Sequence, residues 1–146
     1  MTTTKILHVS TLHVVRLIVA AIVLGLLLAQ LFTFERFPAL IGLEKPLAVA
    51  AAVGLVVCET TALPFWLMLR LPTRMVRVSC VAGFLALCIL TILEAIAAGQ
   101  GVSVLFGATF ALPSGGWSWW FLLGLWILAL WASGMRMSKS HKNDLL

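Results

Sequence analysis

The chain has 146 residues, of which 62% are hydrophobic and only 10% are charged, and its formal net charge is +5. Soluble globular domains are about half apolar and about one-quarter charged, so this composition excludes an ordinary water-soluble fold. The positive charges lie beside apolar runs, which favours a lipid bilayer and excludes nucleic acid as the partner that they serve.

Four apolar runs are long enough to cross a bilayer. They cover residues 13–33, 46–69, 76–98 and 117–134, and each approaches the ~20 residues that a membrane helix needs. Because backbone groups in hydrocarbon must bond internally, and because the runs are continuously apolar, helices are favoured over a barrel. We predict an all-α membrane protein, a four-transmembrane-helix bundle that forms one integral membrane domain, followed by a polar tail at 135–146.

One apolar stretch between the third and fourth spans does not fit this scheme. Residues 102–112 are too few to cross the bilayer. They lie between Gly101 and a Pro-Ser-Gly-Gly sequence that begins at Pro113. We predict a short re-entrant or interfacial segment, with a flap packed on the bundle or on a partner protein as the equal alternative.

The distribution of lysine and arginine predicts the orientation. Cytoplasmic loops of membrane proteins carry an excess of these residues. With the N-terminus inside, the inner side holds Lys5, Arg16, Arg70, Arg74, Arg77, Arg136, Lys139 and Lys142, and the outer side holds Arg36 and Lys45. Both termini are therefore expected in the cytoplasm, and the chain is expected to be a multi-pass protein of the plasma (inner) membrane.

Glu59 is the most informative residue because it lies near the middle of the second span. An acid at mid-bilayer costs about 2.5–3.5 kcal/mol on insertion scales, so we expect it to face the bundle interior. Thr60 and Thr61 follow it, and Pro64 frees a backbone carbonyl one turn away, which predicts a polar notch. Such a notch favours a proton, cation or headgroup site, in which Trp66 could contact an organic cation. The structural alternative is a protonated glutamate bonded between helices, or a docking point for a partner subunit.

Two other charged residues lie near the ends of spans. Glu94 precedes the end of the third span and is a weaker proton-linked candidate, because its side chain can reach the interface. Arg16 lies one turn inside the first span, and we expect it either to reach the inner headgroups or to pair with an acid of another span. His8 and His13 lack the i, i+4 spacing of a helical metal site. No catalytic residue, metal or cofactor is predicted.

Three features resemble the DoxX-like superfamily of four-helix membrane proteins, which includes MauE-type members. Arg16 opens the first span, Glu59 lies within the second, and Thr73 with Arg74 forms the following turn. The resemblance covers about residues 12–134 and implies a membrane role tied to redox or respiratory systems, often as a helper or subunit. MauE-like members often carry cysteines after the third span, and their absence here puts thiol-redox chemistry in doubt.

Three functions fit the sequence. The first is a non-catalytic accessory or assembly subunit of a larger membrane complex of respiratory or redox type, with other membrane subunits or copies of itself as partners. The alternative is a small proton- or cation-coupled transporter that acts as an oligomer through Glu59. The second alternative is a quinone- or redox-linked membrane enzyme component, with quinone or lipid as the ligand and Glu59 or Glu94 as the proton acceptor.

Overall fold

The structure is a computed structural model that describes the backbone of residues 3–67, 69, 71–106 and 115–143, and the side chains among these from residue 14 to residue 133. Its elements in chain order are α1 (Thr3–Phe32), α2 (Phe37–Ile41), α3 (Lys45–Trp66), α4 (Thr73–Ala98) and α5 (Gly116–Asn143). Four of these helices, α1, α3, α4 and α5, are long and apolar enough to cross a membrane. The prediction of an all-helical fold with four helices of spanning length and hydropathy is confirmed for the described residues.

The helices begin and end at places that the hydropathy pattern defines only roughly. α1 begins at Thr3, well before residue 13. α5 continues to Asn143, beyond residue 134 where the apolar run ends. The first part of the polar tail is therefore helical. Helical propensity carries both elements past the apolar runs, because a helix can leave the bilayer without changing its backbone geometry.

The turn between α3 and α4 lies three residues earlier in the chain than the apolar runs predict, at 67–72 instead of 70–75. α3 ends at Trp66, and Pro72 lies in an extended conformation (φ −59°, ψ 149°) immediately before α4. Arg74 and Arg77 are exposed in the first turns of α4. Arg70 lies outside the described residues, so two of the three predicted topology arginines are seen at this turn. We call this end of the bundle the turn end.

The four long helices form a ring around an aliphatic interior. α3 and α4 make the most extensive contact, α1 packs against α3, and α5 contacts both α1 and α4. Their buried side chains include Val19, Leu26, Leu55, Leu90 and Leu122. All four also carry exposed valine, leucine or isoleucine side chains on their outer faces, which is the pattern of helices that face lipid.

The opposite end of the bundle, which we call the capped end, is closed by α2 and residues 99–106. Phe37 and Ile41 of α2 are completely buried. Gly42 follows α2 with φ +72°, and the space where its Cβ would stand is occupied by the amide of Gln100. Glycine is therefore favoured at position 42 by its left-handed backbone conformation, whereas the exposed end of the Gln100 side chain can move aside.

The first half of the 102–112 segment folds back against the bundle. Val104 and Leu105 are completely buried and belong to the same core as Phe37 and Ile41. Residues 107–114 lie outside the described residues, so the re-entrant or interfacial character of the segment stays a prediction. What the structure adds is that residues 103–105 contribute to the core of the bundle.

Candidate proton or cation site

Glu59 occupies a core position of α3. The buried face of α3 runs through Ala48, Ala52, Leu55, Glu59 and Ala62, which is the spacing of one helical face. A carboxyl therefore takes the place of an apolar side chain, and only 3% of its surface is exposed. Because Glu59 faces the interior of its own chain, it does not form a docking point on the lipid-facing surface.

Glu59 lines a small cavity between the four spanning helices. The space open to the centre of a water molecule there is about 20 Å³, which accommodates at least one water. The lining residues are Val19, Val23, Leu26, Glu59, Ala62, Trp66, Gly83, Ala86, Leu87, Leu90, Leu125 and Ala129. Glu59 is the one ionisable group among them, and the cavity is too small for a quinone ring or an organic cation.

Gln30 approaches the Glu59 carboxyl. Gln30 lies in the last turn of α1, whereas Glu59 lies in the second half of α3. Gln30 is completely buried, and its side chain approaches that of Glu59. Side chains of a helix lean towards its N-terminus. Because α1 and α3 run in opposite directions, Gln30 and Glu59 lean towards each other.

The approach of Gln30 to Glu59 leaves polar atoms without hydrogen bonds. Both Nε2 and Oε1 of Gln30, and Oε2 of Glu59, are buried and have no partner that meets hydrogen-bond geometry. Buried polar groups in proteins are nearly always bonded. Three unsatisfied atoms in one place therefore distinguish this site from the rest of the apolar core.

Thr60 and Thr61 do not join the site. Both side chains are exposed on the outer face of α3. Their hydroxyls donate to the carbonyls of Val56 and Val57, each at 2.7 Å, which is how a helix satisfies hydroxyls that face lipid. The predicted notch is therefore divided, with Glu59 inside the bundle and the threonines outside it.

Ser79 of α4 repairs the interruption that Pro64 makes in α3. The Ser79 hydroxyl accepts a hydrogen bond from the backbone N–H of Phe65 at 3.1 Å and donates to the carbonyl of Thr61 at 2.6 Å. It is inserted between two backbone groups that would bond directly in a regular helix. This hydroxyl fixes α3 to α4 just beyond Glu59 on the side of the turn end.

Trp66 and Phe65 already have partners at the turn end. The indole of Trp66 is buried and lies over Gly83, where an added Cβ would be 3.3 Å from its Nε1. The Phe65 ring faces the guanidinium of Arg16, 5.9 Å from the ring centre. Trp66 therefore contributes to the cavity wall, while Phe65 supports an internal cation.

Arg16 does not extend to the membrane surface. Its side chain is only 6% exposed, and Nη2 donates to the carbonyl of Ala132 at 2.7 Å. A carbonyl oxygen has two lone pairs and can accept this bond in addition to one from its own helix. The expected contact with headgroups is therefore wrong, because Ala132 and the Phe65 ring hold Arg16 inside the bundle, where it joins α1 to α5.

Glu94 is a second buried acid, and its surroundings differ from those of Glu59. Its side chain is completely buried, so it does not reach the interface. One oxygen, Oε2, accepts hydrogen bonds from the Ser103 hydroxyl at 3.1 Å and from the Val104 N–H at 2.9 Å. Oε1 has no partner. Glu94 thus fixes residues 103 and 104 to α4 at the capped end.

The remaining candidates for chemistry do not assemble. Within the side chains that the structure describes, no three His, Cys, Asp or Glu residues come together in a way that could hold a metal ion. The cysteines Cys58, Cys80 and Cys88 form no disulfide within the described part of the chain. Glu59 and Gln30 therefore make the strongest candidate site in the described part of the molecule.

Sequence reasoning missed Gln30, Ser79 and Ser103. Gln30 lies near the end of a span, where a polar residue needs no explanation, and Ser79 is one small residue in an apolar run. Their importance depends on which helices meet, and one sequence carries no such information. Pro64 was the available signal for Ser79, since the backbone groups that a proline frees require a partner.

Comparisons of this chain with protein-family models, with characterised proteins and with solved structures find no match. The resemblance to the DoxX-like superfamily therefore rests on Arg16, Glu59, Thr73 and Arg74 alone, and it stays a prediction.

Proposed function

We propose that this chain is a small proton- or cation-coupled transporter in which Glu59 takes up and releases a proton inside the bundle. One observation carries the proposal: Glu59 is 3% exposed and lines a cavity between all four spans, with its Oε2 unpaired. Acids within membrane spans are rare, and they mark ion pathways and proton relays.

The position of Glu59 bears on whether the transporter must be an oligomer. Residues from α1, α3, α4 and α5 line the cavity, so one chain supplies the whole proton site. Oligomerisation is then not needed to build the site. The buried contacts of Phe65 and Trp66 and the size of the cavity also favour protons or small inorganic cations as the transported species over organic ones.

The proposal includes an orientation and a location. With both termini in the cytoplasm, the turn end faces inwards with Arg74 and Arg77, and the capped end faces outwards with Arg36 and Lys45. The exposed Trp119 and Trp120 then lie at the outer interface, where tryptophan is enriched. The membrane is the plasma (inner) membrane. Labelling of single cysteines placed in the 67–72 turn, in intact cells, tests this orientation.

Proton flux into proteoliposomes tests the function. Wild-type protein is reconstituted with a trapped pH dye, and a potassium diffusion potential is applied with and without a sodium gradient. We expect proton movement that Glu59→Gln abolishes, because an amide cannot release a proton. Glu44→Gln is the matched control, since Glu44 is exposed before α3 and lies away from the cavity. Equal flux in wild type and Glu59→Gln would sink the proposal.

A second candidate is a non-catalytic accessory or assembly subunit of a larger membrane complex of respiratory or redox type. The exposed tryptophans of α5 favour it: Trp119, Trp120 and Trp131 are 43%, 73% and 43% exposed, and tryptophan is enriched at interfaces between proteins. The DoxX-like resemblance also supports a helper role. Purification in mild detergent separates the two candidates, because a subunit co-purifies with its complex whereas a transporter is recovered alone or with copies of itself.

A further inference from the structure

We infer that Trp66 is a gate between the Glu59 cavity and the turn end, and that Glu59 exchanges its proton with water at that end when the indole moves aside. The inference rests on the proposed function for the use of this route, but the route can be tested without any measurement of transport. Trp66 is thereby assigned as the side chain that opens and closes the site.

Glu59 lies nearer to the turn end than to the capped end. It is seven residues from the end of α3 at Trp66 and 14 residues from its start at Lys45, which is about 10 Å and about 21 Å along the helix axis. At the capped end, Phe37 and Leu105 add a further layer of completely buried side chains. The barrier between Glu59 and water is therefore thinnest at the turn end.

The two sides of the cavity differ in the size of the side chains that line them. Towards the capped end, α1 and α4 contribute Leu26 and Leu90. Towards the turn end, the lining consists of Val19 and three small residues, Ala62, Gly83 and Ala129. Glu59 faces the same space with its Oε2 unpaired, although only 3% of its surface is exposed. The indole of Trp66 is thus the largest group between this acid and the turn end among the lining residues.

The indole of Trp66 closes the turn-end side of the cavity by lying on Gly83. Trp66 is only 2% exposed, and a Cβ at position 83 would stand 3.3 Å from its Nε1 and 3.5 Å from its Cζ2. The ring therefore packs directly on the backbone of α4, and a side chain at position 83 would press on it. The absence of a side chain at Gly83 provides the place in which the gate rests when it is closed.

The last turn of α3 allows the ring to leave this place. α3 ends at Trp66, so no further turn of this helix covers the indole on the turn-end side. The backbone is held, because the Ser79 hydroxyl accepts from the Phe65 N–H at 3.1 Å and donates to the Thr61 carbonyl at 2.6 Å. Opening therefore consists of rotation of the indole about its side-chain bonds, away from Gly83.

Arg16 is a charged side chain beside this route. Its guanidinium lies 5.9 Å from the centre of the Phe65 ring, next to Trp66 in the chain. It also donates to the carbonyl of Ala132, one turn beyond Ala129 of the cavity lining. Because arginine keeps its charge in proteins, a cation that approached the gate would be repelled. A small anion is therefore the suitable probe of the route.

Thiol labelling at position 62 tests the gate. In the full-length chain, with its three native cysteines changed to alanine, Ala62→Cys is treated with MTSES, a small anionic methanethiosulfonate that does not cross bilayers. Leu69→Cys and Glu44→Cys mark the turn end and the capped end, because both residues are exposed there. We expect slow labelling of Ala62→Cys in intact cells or inside-out vesicles, and only from the membrane face at which Leu69→Cys reacts.

Removal of the indole should speed this labelling. The rate at which a buried thiol reacts follows the fraction of molecules that are open, so we expect Ala62→Cys to react about tenfold faster, or more, in the Trp66→Ala background. Leu90→Ala is the matched control, because it removes a lining side chain on the capped-end side of the same cavity. It should leave the rate within about twofold of the original.

Three outcomes would overturn the inference. Labelling from the face at which Glu44→Cys reacts would place the entrance at the capped end. Equal acceleration by Trp66→Ala and Leu90→Ala would mean that the indole is not the gate. If Trp66→Ala does not fold, the chain with Trp66 intact decides: no labelling of Ala62→Cys from either face, with full reaction after denaturation in SDS, would show that the route does not open. Labelling from the turn end in a protein without proton flux would instead remove the proposed function and leave the gate standing.

Discussion

The two buried acids of this bundle are equally hidden but differently bonded. Each acid has one oxygen without a hydrogen-bond partner. The other oxygen of Glu94, which is 0% exposed, accepts hydrogen bonds from Ser103 and Val104, whereas Glu59 is 3% exposed and faces a cavity. Both lie in apolar spans, and burial alone does not separate them. Their surroundings do separate them. Glu94 is bonded as a structural anchor, whereas Glu59 faces a cavity, as expected of a group that takes up and releases a proton.

The largest expected effect is on stability, at Glu94. Glu94→Ala removes the acceptor of both the Ser103 hydroxyl and the Val104 N–H, which are buried. Leaving two buried donors unsatisfied costs roughly 2–4 kcal/mol in the free energy of unfolding. Unfolding of the purified protein by SDS in mixed micelles, followed by circular dichroism, measures this loss.

The control for this experiment is Glu94→Gln. The amide oxygen can still accept the bond from Val104, so we expect a loss below about 1 kcal/mol. A Glu94→Ala protein as stable as the wild type would contradict the anchor role. It would leave residues 103 and 104 held by packing alone.

The opposite sign is expected at Glu59. Glu59→Met fills a core position of α3 with an apolar side chain of similar length and removes an acid that is costly in hydrocarbon. We expect the free energy of unfolding to rise by about 1–2 kcal/mol while proton flux is lost. Functional sites commonly show this trade-off between stability and activity. The same SDS titration and proteoliposome assay measure both effects. A clear loss of stability would make Glu59 a structural residue like Glu94.

The contrast between Glu59 and Glu94 shows which features can be predicted from the sequence and which cannot. The four spans and the inward position of Glu59 follow from local hydropathy and from the cost of an acid in lipid, so both could be predicted. The opposite behaviour of Glu94 could not, because its partners belong to a segment whose path depends on tertiary packing. Helix α2 was missed for the same reason: five residues carry too little pattern, and the burial of Phe37 and Ile41 against other helices stabilises it.

A smaller effect is expected at Ser79, which secures α3 on the turn-end side of Glu59. Ser79→Ala removes the hydroxyl that accepts from the Phe65 N–H and donates to the Thr61 carbonyl. Hydrogen bonds between membrane helices contribute about 0.6 kcal/mol on average and up to about 1.7 kcal/mol, so we expect a loss of about 1 kcal/mol. Ser133→Ala is the matched control, because Ser133 bonds only the carbonyl of Leu130 in its own helix among its described contacts.

The double variant Ser79→Ala/Pro64→Ala sharpens this test. Alanine at position 64 restores the missing N–H, allowing α3 to close its own backbone bonds without help from α4. The loss caused by Ser79→Ala should then shrink by more than half when measured in the Pro64→Ala background. Equal losses in the two backgrounds would mean that Ser79 acts independently of the proline.

The smallest effect is expected at Thr60 and Thr61, whose hydroxyls lie on the outer face of α3. Thr60→Val/Thr61→Val removes two hydroxyls that bond only carbonyls one turn back in α3, outside the cavity. We expect a change within about 0.5 kcal/mol and unaltered proton flux in the proteoliposome assay. Because these threonines adjoin Glu59 in sequence, a large loss of flux would move the site to the outer face of α3 and point to a partner subunit there. Normal flux in Thr60→Val/Thr61→Val together with no flux in Glu59→Gln would show that the polar groups needed for transport lie on the inner face of α3, and that the hydroxyls on its outer face are not needed.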